Sequence, residues 1–171
     1  MKISDMNEKD SVDVLKRVHL GRLACAQHDQ PYVTPIFFAC DDNSLYAFTT
    51  LGQRLDWMRA NPLVCLEVDE VTNAQTWLSV VVSGRFEELP DAPHFADERE
   101  RAYQLLQRRP MWWEPAYVKT TLRGVERPLE FTYFRIRIDS ITGRRSLPDA
   151  SLSPAFRGRL SRWFGHFLRG G

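Results

Sequence analysis

Short strand-like segments joined by short links dominate the first half of this chain, and only one helix interrupts them. The six segments are Arg22–Gln27, Tyr32–Cys40, Leu45–Phe48, Leu63–Val68, Thr76–Phe86 and, after a helical stretch, Phe131–Ile141. Strands at this spacing indicate an antiparallel barrel or sandwich rather than a parallel sheet with crossover helices. The sequence therefore predicts a mainly β fold with peripheral helices.

The segment Phe131–Ile141 shows the cleanest alternation of apolar and polar residues, so we expect a half-buried strand that closes the barrel. Four helices are predicted: one from Ser4 or Asp5 to Val18 that Gly21 ends, one at Gln53–Ala60, one at Asp97–Arg108 and a basic amphipathic helix at Pro154–Leu168. The segments predicted to lack regular structure are a polar segment at Asp69–Gln75, an aromatic loop at Pro110–Pro115, a polar and irregular stretch at Lys119–Arg127 and a linker at Thr142–Ser153.

Pro35 interrupts the segment Tyr32–Cys40, which is otherwise β-branched and aromatic. Proline has no backbone N–H, so a sheet tolerates it only at an edge or where a ladder hydrogen bond is missing. The backbone at Thr34–Ile36 can therefore face something other than a neighbouring strand. A simple edge strand explains the same pattern equally well.

The length and the charge distribution of the chain limit the class of protein to which it can belong. The 171 residues fit one domain with a substantial core, and the polar N-terminus lacks a signal-peptide pattern, so we expect a cytoplasmic protein. Residues 1–100 carry 9 Lys or Arg and 17 Asp or Glu, whereas residues 101–171 carry 14 and 5. We expect the basic, apolar C-terminal part to dock on an acidic protein surface, with neither nucleic acid nor a membrane as its partner.

The usual catalytic and metal-binding motifs are absent from the sequence. The 3 cysteines lie in apolar runs without CxxC spacing and the 4 histidines are scattered, which argues against disulfides and a structural zinc site. There is no GxSxG, HExxH or GxGxxG motif. If this chain is an enzyme, a bound cofactor carries the reactive chemistry.

The stretch Leu45–Pro62 has the composition of a phosphate site. A strand delivers Thr49 and Thr50 to a turn at Gly52, and Arg54 follows in the first turn of a predicted helix. Helix N-termini attract anions through their unpaired N–H groups, and arginine adds a planar fork of donors. An ordinary capped helix remains the alternative interpretation of this stretch.

The chain contains, in this order, GRLACAQHDQPYVTPIFF, LYAFTTLGQRLDWMRANPLVCLEVDE and TWLSVVVSGRFEEL, and later YFRIRIDSITGRR. In order and spacing, the first three stretches resemble the flavin-binding split β-barrels, which are the pyridoxamine 5′-phosphate oxidase-like proteins. The fourth stretch resembles the last barrel strand of that family. The match is closest to the subgroup related to nitroimidazole-resistance proteins. It implies a six-stranded antiparallel Greek-key split barrel that binds FMN, over residues 1–147, followed by a linker and basic helix over residues 148–171.

The resemblance also implies a homodimer with two FMN molecules at the subunit interface. The residues it assigns to FMN fall in three groups: Thr34, Pro35 and Ile36 along the ring; Phe48, Thr49 and Thr50 along the ribityl chain, with Gln53 and Arg54 at the phosphate; and Trp77, Ser79 and Val80 reaching the flavin from the other subunit. Gln53 replaces one of the two usual cations at the phosphate.

The expected activity is an FMN-dependent oxidoreductase acting on a small molecule, with NAD(P)H as one candidate electron donor. A histidine found in some nitroimidazole-resistance relatives is missing, which puts nitro-group reduction in doubt, and vitamin B6 oxidation has no support in the C-terminal residues. The alternative is a non-catalytic protein of the same fold that binds flavin, deazaflavin or haem. Trp112 and Trp113, in the aromatic loop, are candidates for covering the open face of the ring.

Overall fold

One large antiparallel sheet organises the chain in a computed structural model that describes residues 1–108, 120–122, 125–127 and 131–148. The strands are β1 (Lys2–Met6), β2 (Leu20–Gln27), β3 (Gln30–Phe37), β4 (Ala39–Asp41), β5 (Ser44–Thr50), β6 (Leu63–Asn73), β7 (Thr76–Leu89), β8 (Thr120–Leu122), β9 (Val125–Arg127) and β10 (Phe131–Leu147). The helices are α1 (Glu8–Arg17), α2 (Gln53–Ala60) and α3 (Ala96–Leu106), with a 3₁₀ turn at Pro93–Phe95.

The sheet has eight strands in the order β3-β2-β6-β7-β10-β5-β4, with β1 added beside β10. All of its pairings are antiparallel. No ladder in the described residues joins β3 to β5 or β4, so the barrel is split along one seam. This confirms the predicted mainly β split barrel. The sheet has more than the six predicted strands for two reasons. Residues 2–6 form β1, where the sequence predicts the start of a helix, and Tyr32–Cys40 breaks at Phe38 into β3 and β4.

The main core fills the inside of this curved sheet. Alternate residues of each strand point inward, as with Val64, Leu66 and Val68 on β6, which are all buried. Buried residues of α1 and α2, among them Leu15 and Leu55, close the ends of the same cluster. Removing this apolar surface from water is the main driving force for the fold.

A second, smaller core lies outside the sheet beneath α3. It joins Tyr46 and Phe48 of β5 with Tyr133 of β10 and with Ala102 and Leu106 of the helix. Strand β5 is therefore covered on both faces, which explains its run of five consecutive buried residues. A strand covered on both faces loses the alternating pattern of a half-exposed one.

The N-terminus differs from the sequence prediction. Residues 2–6 form β1, and the first helix begins only after Asn7, whose Oδ1 accepts a hydrogen bond from the Asp10 N–H at 2.7 Å. Ser4 and Asp5 are strand residues paired with β10, so the predicted cap was wrong. The helix ends at Arg17, with Val18 as its C-cap, which is within one residue of the predicted end. Gly21, predicted to end the helix, lies within β2. The long β10 offers a free edge for pairing, and local capping patterns do not reveal it.

Two strands are much longer than predicted. The predicted polar segment Asp69–Gln75 mostly belongs to β6, which continues to Asn73 and turns directly into β7. The predicted linker at Thr142–Ser153 was wrong in its first part, because β10 continues to Leu147 against β7 and β1. Polar residues are tolerated in these extensions because ladder hydrogen bonds, rather than side-chain burial, hold a strand's outward face.

The stretch predicted as irregular at Lys119–Arg127 contains the short hairpin β8–β9. The aromatic loop, with Trp112 and Trp113, and the predicted C-terminal helix lie outside the described residues, and the division of the chain at residue 147 stays a prediction. None of the helices in the described ranges combines the length and the apolarity needed to cross a bilayer.

Candidate functional site

Arg54, in the first turn of α2, connects the two sides of the split barrel. Its Nη1 donates to Thr34 Oγ1 at 2.8 Å and to the Pro35 carbonyl oxygen at 3.3 Å, both on β3. Its Nε and Nη2 donate to Thr49 Oγ1 on β5, at 3.1 and 2.5 Å. One guanidinium group therefore takes the place of the missing β3–β5 ladder. We call Arg54, Thr34 and Thr49 the seam cluster.

The charge of Arg54 is unusual for its surroundings. Burial lowers the pKa of the guanidinium, because desolvation disfavours its charged form. Its hydrogen-bond acceptors among the described residues are two hydroxyls and a carbonyl, and no carboxylate of those residues forms an ion pair with it. Buried charges are normally paired. The seam cluster thus holds a desolvated cation without an anionic partner among the described residues.

Local sequence explains how Arg54 reaches the seam. Gly52 adopts a φ of 153°, a conformation that side chains disfavour, and it lets the chain turn from β5 into α2. Leu55 and Met58 are completely buried and fix the helix against the core. Gly52 offers no side-chain cap, so the first turn of α2 presents backbone N–H groups next to Arg54.

The other predicted residues of this half of the site have different surroundings. Ile36 is buried in the main core, and Phe48 points to the opposite face of β5 from Thr49, into the core beneath α3. Thr50 is half-buried and Gln53 is exposed beside the start of α2. The structure therefore brings Thr34, Pro35 and Thr49 to Arg54, whereas Ile36 and Phe48 contribute to packing.

The third predicted group lies on β7. Trp77 and Ser79 line an open groove of about 690 Å³, whereas Val80 is fully buried and points into the main core. The groove lies between β1, β7 and β10, and its other lining residues are Asp5, Met6, Val81, Ile141, Thr142, Gly143 and Arg144. We call it the β7 groove.

The seam cluster and the β7 groove do not meet within one chain. Thr34 alternates with the exposed Pro35 and faces inward together with Ile36, whereas Ser79 alternates with the buried Val80 and faces outward. None of the seam-cluster residues lines the groove. The seam cluster and the β7 groove therefore lie on opposite faces of the sheet.

Sequence reasoning missed the charged residues around Ser79. Ser79 Oγ donates to Glu67 Oε1 at 2.9 Å, and Arg22 forms ion pairs with both Glu67 and Asp69 on the outer face of the sheet. Arg144, opposite Ser79 on β10, lies 3.5 Å from Asp5. Outward charges on neighbouring strands were visible in the sequence, but only the register of β2, β6 and β7 brings them together.

The fold and the seam cluster define a class of protein: a split antiparallel barrel whose opening holds a buried cation at a helix N-terminus. The family model described as pyridoxamine 5′-phosphate oxidase matches residues 7–145. The chain therefore belongs to the pyridoxamine 5′-phosphate oxidase-like family, as its sequence motifs indicate.

Individual relatives agree with this membership. An uncharacterised protein of Rhizobium meliloti is 40% identical over 139 residues, which are 81% of this chain and 92% of the relative. The crystal structure of an FAD-binding protein from Mesorhizobium loti is 40% identical, with a TM-score of 0.71 over 85% of this chain and 99% of that chain.

A more distant structure shares the fold of the predicted subgroup. It is a candidate 5-nitroimidazole antibiotic resistance protein from Bacteroides thetaiotaomicron, 17% identical over 84% of this chain and 87% of that chain, with a TM-score of 0.60. At that identity the likeness concerns the fold alone.

Proposed function

We propose that this chain binds FMN at the interface of a homodimer and acts as a flavin-dependent oxidoreductase on a small molecule. The observation that carries the proposal is the desolvated Arg54 guanidinium, whose hydrogen-bond partners among the described residues are all uncharged. A phosphate group would supply the missing anion. The first turn of α2, which has no side-chain cap, would add backbone donors to the same phosphate.

Uncharged partners also support a binding role rather than a purely structural one. A buried guanidinium that only holds a seam closed is normally paired with a carboxylate, because an opposite charge offsets the cost of taking the cation out of water. The acceptors of Arg54 are instead hydroxyls, which can rotate away. Their rotation leaves a guanidinium N–H free to donate to an incoming phosphate. Gln53, exposed next to it, is suited to an amide hydrogen bond with that phosphate and adds no second charge.

Placement of the ring follows from the separation of the two groups. We propose that the ring extends from Thr34–Ile36 of one subunit to the β7 groove of the partner subunit, so that Trp77 and Ser79 and the backbone at Val80 contact it. The groove offers an aromatic side chain beside polar ones, as flavin sites require. The relative from Mesorhizobium loti, named as FAD-binding, supports a flavin as the class of cofactor.

The protein's part in the reaction is to bind, orient and shield. Bound FMN supplies hydride transfer, and the described site residues are hydroxyls, aromatics and cations that hold it in place. The substrate class stays open, with NAD(P)H as a candidate donor of the hydride. We propose that the reaction takes place in the cytoplasm.

The first experiment is a spectrum of the purified protein, followed by mass identification of any molecule released on denaturation. We expect oxidised flavin absorbance and release of FMN. Protein purified without flavin should gain thermal stability on adding FMN, by about 2.7 kcal/mol at a hundredfold excess over Kd, because the ligand binds only the folded state. NADH and NADPH consumption, followed at saturating FMN, tests the oxidoreductase activity.

The outcomes separate the proposal from its alternatives. A Soret band would indicate haem, and a colourless protein that FMN does not stabilise would contradict flavin binding. Tight FMN binding that supports no reduction by any nicotinamide or small-molecule donor would favour the non-catalytic alternative.

A further inference from the structure

The hydroxyl of Ser79 has a fixed direction. It donates its only proton to Glu67 Oε1 at 2.9 Å, and an ionised carboxylate accepts hydrogen bonds but does not donate them. The oxygen of Ser79 therefore keeps only acceptor capacity. Because Ser79 lines the β7 groove and Glu67 does not, that acceptor is what the hydroxyl offers to a ligand in the groove.

Glu67 is itself held in place from its other side. Arg22 Nη1 donates to Glu67 Oε2 at 3.1 Å and also to Asp69. The Arg22 and Glu67 side chains are 58% and 31% exposed, so this ion pair contributes little to stability. Its geometric effect is larger, because it directs the second carboxylate oxygen, Oε1, towards Ser79.

A donor lies next to this acceptor. Arg144 is directly opposite Ser79 on β10, so the two side chains leave the same face of the sheet. The contact of Arg144 with Asp5, at 3.5 Å, is highly exposed on both sides and leaves the guanidinium able to turn into the groove. The groove thus presents an acceptor and a donor side by side.

We propose that Glu67 is a positioning residue that makes Ser79 an obligate hydrogen-bond acceptor, so that the β7 groove selects a ring edge in which an N–H lies beside a carbonyl. A cyclic imide has this edge: its N–H donates to Ser79 and its carbonyl oxygen accepts from Arg144. The inference rests on the proposed function for the identity of that ring, which is the pyrimidine edge of the flavin with its N3–H.

The test compares FMN with its N3-methyl derivative, which lacks the N–H. Kd is measured for both by flavin fluorescence titration of the flavin-free protein. We expect the wild-type protein to bind FMN about tenfold more tightly, as for the loss of one hydrogen bond. In Glu67→Gln the amide oxygen accepts from Arg22, so the NH₂ group faces Ser79 and donates to its Oγ. The serine proton then turns away from residue 67, and Ser79 is no longer held as an acceptor for N3–H. The Kd ratio should then fall towards one.

Matched variants isolate this effect. Ser79→Ala should also lower the ratio towards one, whereas Ser79→Thr keeps the hydroxyl and should keep the ratio. Asp69→Asn leaves the Glu67–Ser79 contact in place and is the control. If Glu67→Gln does not fold, Glu67→Asp, which is one methylene shorter, releases Ser79 in the same way. A merely structural role of Glu67 would weaken both ligands equally and leave the ratio unchanged.

The role of Glu67 and the binding of FMN are contradicted by different results. Wild-type protein that binds FMN and its N3-methyl derivative equally would overturn the role of Glu67 and leave the proposed function intact. An unchanged tenfold preference in Glu67→Gln would also overturn it. Wild-type protein that binds neither flavin would overturn both proposals.

Discussion

At the scale of single residues, Arg54 uses the same donors for an observed contact and for a proposed one. Its guanidinium connects Thr34 and Thr49 across the seam. Under the proposed function it also neutralises the FMN phosphate. Because the partners across the seam are hydroxyls, they can share the guanidinium with a phosphate at small cost.

Replacing Arg54 by alanine should weaken the binding of FMN but not that of riboflavin, which has no phosphate. Hydrogen bonds to a charged group contribute about 1.5–3 kcal/mol, so we expect Kd for FMN to rise roughly 10- to 100-fold. Titration of both flavins by fluorescence gives the ratio.

Arg59→Ala is the matched control for this experiment. Arg59 lies on the same helix but pairs with Glu88 on the surface, so its removal should leave both flavin affinities unchanged. An Arg54→Ala protein with full FMN affinity would mean that the phosphate binds elsewhere.

At the scale of elements, α1 depends on a cap that the sequence did not single out. Asn7 caps the helix, and the first turn adds the acidic residues Glu8 and Asp10, which favour the positive end of the helix dipole. Ser4, the predicted cap, is a strand residue opposite Arg145.

Asn7→Ala should lower the free energy of unfolding by about 1 kcal/mol, the usual cost of losing a side-chain cap. Urea unfolding measures this difference. Ser4→Ala serves as the comparison and should change stability by less than about 0.5 kcal/mol, as surface substitutions do. The opposite ranking would place the cap at Ser4.

The pairing of β7 with β10 requires a glycine at position 84. A Cβ added to Gly84 would lie 2.4 Å from the Arg137 carbonyl oxygen and 2.7 Å from Ile136 Cγ2. The register of the ladder shifts just beyond this point, between Ile138 and Ser140. The two strands therefore approach closely where the sheet bends.

Gly84→Ala should destabilise the protein by about 1–3 kcal/mol, because the added methyl group overpacks the contact with β10. Thermal unfolding measures the effect, and Ser83→Ala, at the exposed neighbouring position, is the control. Equal melting temperatures for the two variants would show that the ladder can open to accept a side chain.

At the scale of the whole molecule, the proposed FMN site needs residues from two chains. The seam cluster lies on the inner side of the sheet at its opening, and the β7 groove lies on its outer face. A twofold-symmetric dimer would bring the groove of each subunit to the seam of the other and create two equivalent sites. This arrangement is the proposed homodimer.

Coexpression of two defective variants tests whether the site is shared. Arg54→Ala and Trp77→Ala each damage both sites of their own homodimer, but a mixed dimer contains one intact site. Random pairing of the two chains should restore FMN binding at about a quarter of all sites, because half of the dimers are mixed. Flavin content per chain measures the recovery, and no recovery would place both groups in one subunit's site.

Features that depend on local pattern could be predicted from the sequence alone. Alternating and β-branched segments indicated antiparallel strands, and the apolar spacing of Leu55 and Met58 placed α2 at its observed bounds, Gln53–Ala60. The family motifs assigned Thr34, Thr49 and Arg54 to one site. The Arg54 guanidinium is hydrogen-bonded to both threonine side chains, and the role of the three residues in binding FMN stays a prediction. Burial and periodicity are local consequences of side-chain chemistry, so they can be read along the chain.

Contacts between residues that are distant in the sequence follow only from the folded structure. The pairing of β1 with β10, the extension of β10 to Leu147 and the contact between Ser79 and Glu67 all depend on strand register. Register is set by long-range ladders, and a shift of one residue would turn every side chain to the other face. For the same reason, Arg54 could be predicted as a phosphate ligand from its neighbours in sequence. Its position across the open seam follows only from the folded barrel.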